Sequence, residues 1–83
     1  MRIYMQLGMT DNKPPKFCSL HLQEDLLGGW SLVRESGIQG SYGKVVKMHY
    51  GDHQSALEAL VEVRGAYIDK GFRVVFAQGE SQG

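Results

Sequence analysis

The stretch "KFCSLHLQEDLLGGWSLVRE", residues 16–35, decides how this chain folds. Its opening half alternates, with Cys18, Leu20 and Leu22 on one side and Phe17, Ser19 and His21 on the other, the period of a strand with one buried face. "EDLLGG" turns the chain, and "WSLVRE" makes another strand with Trp30 and Leu32 on one face. Strands joined by so short a connection run antiparallel, because parallel neighbours need a crossover of about a dozen residues or more.

Upstream, residues 2–8 predict a strand with Ile3, Met5 and Leu7 opposed to Arg2, Tyr4 and Gln6. "MTDNKPPK" follows as a connection, since Asp11, Asn12, Pro14 and Pro15 favour turns or block ladder hydrogen bonds. Downstream, "SGIQGSYG", residues 36–43, reads as a loop, and "KVVKMHY" as a strand with Val46, Met48 and Tyr50 on one side. The expected fold is α+β: an antiparallel meander of four to five strands with one covering α-helix.

The helix is expected from His53 to Lys70, with Asp52 as its N-cap and Gly71 suited to the left-handed conformation at its end. At 100° per residue, Ala56, Leu57, Leu60, Val61, Val63, Tyr67 and Ile68 share a broad apolar side, with Glu58, Glu62, Gly65 and Asp69 opposite. Arg64 falls within the apolar arc, and its stem is expected to extend over the sheet. "FRVVF" is expected to run back along the sheet or the helix end. Residues 1–76 thus form one domain, and residues 77–83, "AQGESQG", a frayed tail.

A length of 83 residues allows one core, and 42% hydrophobic with 22% charged residues is ordinary for a globular protein. Nine basic and nine acidic residues cancel, so any polyanion contact must come from a local patch. The N-terminal segment is too polar for a signal peptide, and no run suits a membrane helix. One cysteine, Cys18, forms no internal disulfide and fits a reducing compartment, so the cytoplasm is expected.

His21, His49 and His53 lack the close spacing of a metal site, and Cys18 and His21 project from opposite faces of their strand. Cys18 lies on the apolar alternation as a small hydrophobe. Trp30 is expected to anchor the core, its indole N–H bound to a backbone carbonyl. With no nucleophile–base order, paired-carboxylate cleft or cofactor fingerprint, we expect no enzyme, no cofactor, no metal and no small-molecule substrate.

Gly37, Gly40 and Gly43 admit two readings, an anion-gripping backbone or a turn between strands. The phosphate-loop pattern fails, because Ile38 stands where its first glycine belongs and Val45 follows Lys44; no helix follows for a dinucleotide pattern. Arg34, Tyr42, Lys44 and Lys47 lie around the loop and could form one basic patch, with Tyr42 available to stack.

Residues 16–40, the helix opening "DHQSALEAL" and its exit "DKGFR" resemble bacterial WGR domains, most specifically in "LQEDLLGGWSLVRE". The resemblance covers the chain to about Arg73. It implies an antiparallel sheet carrying a helix, and binding of nucleic acid near strand breaks. The chain departs from the family at its signature: Ser36, Gly37 and Ile38 stand where Trp-Gly-Arg is usual, and Gln39 and Gly40 where Ile-Gly usually follows. Ser36 offers no stacking surface, and Ile38 no fork of donors.

Two functions follow as expectations. The chain is a weak nucleic-acid module, binding DNA ends, nicks or single strands through Arg34, Gly37, Gly40, Tyr42, Gly43, Lys44 and Lys47. Alternatively, it kept the fold and gained a partner protein, through Ile38 or through the acidic helix side of Glu58, Glu62 and Asp69.

Overall fold

A computed structural model describes residues 1–8 and 12–79. Part of the expected first connection and the end of the expected tail lie outside the described residues. Strands β1 (Arg2–Leu7), β2 (Lys16–Glu24), β3 (Trp30–Ile38) and β4 (Lys44–Tyr50) are followed by helix α1 (His53–Asp69) and strand β5 (Arg73–Gln78). They build one antiparallel sheet in the order β4-β3-β2-β1-β5, so the meander is as expected and β5 returns to pair with β1.

Strand direction explains that return. β4 and β5 are separated by one helix that carries the chain back along the sheet, so they point the same way. Beside β4, the last strand would be parallel; beside β1, it is antiparallel like every other neighbour. A bulge between Tyr4 and Met5 offsets the β1–β5 register, and β5 continues to Gln78, into the segment read as tail.

The register divides the side chains between two faces. Ile3, Met5, Cys18, Leu20, Leu22 and Leu32 point to one face and are buried beneath α1 with Ala56, Leu60 and Phe72. Burying a leucine of this kind fully stabilises the fold by roughly 1.5–3 kcal/mol. The helix packs over β2, β3 and β4; among the described residues the other face of the sheet carries no helix.

Asp52 caps α1, its Oδ1 accepting the Ser55 N–H at 2.7 Å. Gly71, at φ 101°, lets the chain leave the helix, its N–H reaching the Ile68 carbonyl at 2.9 Å.

Three expectations are corrected. Val61 and Ile68 are 46% and 45% exposed, not part of the core. The helix centres its contact on Ala56, Leu60, Val63 and Tyr67, and at 100° per residue Val61 and Ile68 fall more than about 100° away. Arg64, on the same flank, is likewise exposed. Finally, β3 does not end at Glu35: Gly37 and Ile38 pair with Phe17 and Lys16, shortening the loop to residues 39–43.

Candidate functional site

In this meander the β1–β2 and β3–β4 connections and the end of α1 all fall at one end of the sheet. That end gathers basic side chains. Lys13 lies on the first connection, Lys16 opens β2 opposite Ile38, and Lys44 opens β4 opposite Ser36. Lys70 caps α1, and Arg73 opens β5 opposite Gln6. None of these five cations makes an ion pair among the described residues. Among the described residues, the acids at this end are Asp69, which ends α1, and Glu35, which lies beside Gly43.

A groove runs across this end, lined by Lys16, Ser36, Gly37, Ile38, Tyr67 and Lys70. The Lys70 ammonium sits 5.1 Å from the centre of the Tyr67 ring, a cation–π contact that holds it over the groove. Ser36–Ile38 therefore borders lysines from two other elements. Ile38 is 41% exposed at the rim, and Tyr42 stands fully exposed at the tip of the β3–β4 connection.

The structure divides the patch expected around the loop. Lys44 and Lys47 are an odd number of residues apart in one strand, so they leave opposite faces. Lys47 lies opposite Val33 on the uncovered face. Arg34 lies on the helix side, half-buried, in a crevice with Leu32, Val46, Met48 and Val63. Its stem packs there as the stem of a long cation does. Lys44 and Tyr42 belong to the basic end; Arg34 and Lys47 do not.

The glycines are accounted for by the turn. Gly40 takes φ 84°, while the Ser41 N–H reaches the Ile38 carbonyl and the Gln39 N–H the Pro15 carbonyl, at 3.0 and 2.8 Å. Gly37 and Gly43 allow close approach: a Cβ on Gly37 would lie 3.1 Å from the Gly43 Cα, and one on Gly43 only 2.8 Å from the Glu35 side chain and 3.0 Å from the Phe17 ring. Glu58 and Glu62 are exposed a turn apart on α1, whereas Asp69 ends the helix beside the lysines.

Glu24, Asp25 and Asp52 lie at the opposite end, where the two aspartates serve local structure. Asp25 Oδ1 accepts the N–H groups of Leu27 and Gly29 at 2.9 and 3.0 Å, and its Oδ2 lies 2.7 Å from His49 Nδ1. Desolvation pushes the Asp25 carboxyl up, but the Gly29 and Leu27 N–H groups and the His49 ring together hold it below the usual carboxylate value. This clasp went unread, although an aspartate before a glycine pair is an Asx-turn signal. Trp30 meets the His53 ring edge-on, with centroids 4.5 Å apart.

Cys18 is fully buried, and that burial pushes its thiol up, away from the reactive thiolate. Among the described residues no three His, Cys, Asp or Glu side chains converge, and no helix is long and apolar enough to cross a membrane.

Sequence reasoning named Lys44 and Tyr42 but missed Lys13, Lys16, Lys70 and Arg73. The missing signal was strand direction: alternate connections of a meander share an end. No protein-family model matches the chain, and no curated protein or solved structure matches it either. The likeness to WGR domains rests on the quoted residues.

Proposed function

We propose that this protein is a small non-enzymatic module that binds nucleic acid through the basic end of its sheet. One observation carries the proposal: five of its nine basic residues, Lys13, Lys16, Lys44, Lys70 and Arg73, meet at one end although the chain is neutral overall. Such a local field attracts phosphates without a net positive charge. Exposed Tyr42 adds a ring at the same end, and the resemblance to WGR domains points to the same class of ligand.

The test is a titration of nicked and single-stranded DNA at rising salt. Affinity is expected to fall steeply, and the variant Lys16→Ala/Lys44→Ala/Lys70→Ala to lose about 100-fold near ~0.1 M salt, with the log–log slope reduced by about 2 to 3. Equal binding by protein and variant contradicts the proposal.

A second reading has its own observation. Val61 and Ile68, both exposed, alternate along α1 with Glu58, Glu62 and Asp69, forming a stripe suited to a basic, partly apolar protein segment. Partner binding lost on Val61→Asp but kept in the lysine variant favours it.

A further inference from the structure

The uncovered face of the sheet carries a row of aromatic rings across three strands. Tyr4 of β1 and Phe17 of β2 lie with ring centroids 6.1 Å apart and planes 12° from parallel. Phe76 of β5 stands opposite Tyr4 in the register and is 50% exposed. The Gln39 side-chain amide donates to the Tyr4 hydroxyl at 2.6 Å, tying the row to the β3–β4 connection of the basic end.

Cations surround these rings. By the register, Arg2 and Arg73 share this face with Tyr4, one toward each end of the row, and Lys47 stands across it beside Val33. Glu35 is the acid of the central strands on this face. Burial, then Arg2 and the N-terminal amine, hold the His21 ring below its usual value. A depression on this face is bordered by Tyr4 and Phe76 together with Arg2, His21, Val33 and Glu35.

We infer that this face is a stacking platform for the unpaired bases of a single-stranded nucleic acid, its phosphates held by Arg2, Arg73 and Lys47. Three features select that occupant. Phe76 is exposed, with the half-buried Tyr4 and Phe17 rings beside it on the same face; the cations flanking them outnumber the acid; and paired bases, already stacked on one another, cannot lie on rings set in a sheet. An apolar partner would instead have to bury two arginines and a lysine. This inference rests on the nucleic-acid proposal above and specifies the strand that binds.

The test is fluorescence anisotropy with a labelled oligothymidine of about 15 nucleotides, within the range such platforms hold, and with a duplex of the same length. Phe76→Leu and Tyr4→Leu are each expected to weaken single-strand binding by about tenfold, the loss of one stacked base, and to leave duplex binding unchanged. In the unaltered protein the ring resonances of Tyr4 and Phe76 should move on adding oligothymidine, a readout that requires no variant. If single strand and duplex bind equally and the rings do not respond, the platform is refuted while the basic end stands. If neither binds, both fail. Ring resonances that shift on dilution, with a dimer that dissociates, show a second copy on the face and overturn the inference.

Discussion

The two ends of this sheet use their charged side chains differently. At the end holding the β2–β3 connection and the start of α1, the two aspartates are engaged: Asp25 closes its turn and pairs with His49, and Asp52 caps the helix, while Glu24 makes no ion pair among the described residues. At the other end Lys13, Lys16, Lys44 and Arg73 make no ion pair among the described residues, and Lys70 only overlies a tyrosine ring. The contrast has a chemical cause. Carboxylates accept backbone N–H bonds and so are consumed in turns and N-caps, whereas lysines make few such local bonds and remain turned to solvent. A chain of zero net charge can thus present one end with available positive charge.

The comparison is broken most forcefully by inverting the basic end. Lys16→Glu with Lys70→Glu should weaken DNA binding by at least about 100-fold near ~0.1 M salt, and should lower stability by about 1–2 kcal/mol, because Lys70 leaves the Tyr67 ring and an acid takes its place at the C-terminus of α1. Anisotropy and thermal unfolding read the two effects separately. A smaller change tests the backbone that shapes that end. Gly43→Ala sets a methyl against the Phe17 ring and the exposed Glu35 side chain, which can swing aside, and should cost about 1 kcal/mol or less of stability in denaturant unfolding.

At the acidic end the expected effects are on pH dependence. The Asp25 carboxyl is held low in the folded chain, so its contribution is present above the unfolded value of about 4 and is lost as pH falls through the folded value. Asp25→Asn should therefore lower Tm at pH 7, with the gap to the unaltered protein closing below about pH 4. A constant gap across that range contradicts the clasp. The smallest effect belongs to Glu24→Lys, which adds a positive charge far from the lysines and should change DNA affinity by less than about threefold.

The fold was legible because local signals agreed. Alternation at Ile3 and Met5 and at Cys18, Leu20 and Leu22 marked the buried face, and Asp52 and Gly71 marked the helix ends. The place of β5 was left open because "RVVFAQ" carries no clear alternation and every residue of it is exposed. Only strand direction locates it beside β1. The site was less legible, since proximity in sequence misled: Lys47 is close to Lys44 along the chain but on the other face, while Lys16 and Lys70 are distant along the chain and border one groove. The helix flank failed for a related reason. Periodicity defines an apolar arc but not its centre, which the sheet fixes on Leu60 and so exposes Val61.

The most direct test of the basic end is amide chemical-shift mapping as a nicked DNA duplex is added to the full chain. Perturbations should concentrate at residues 13–16, 36–44 and 70–73. Shifts confined to residues 25–29 and 52, or to Glu58 and Glu62, with Lys16, Lys44 and Lys70 unmoved, would contradict the account.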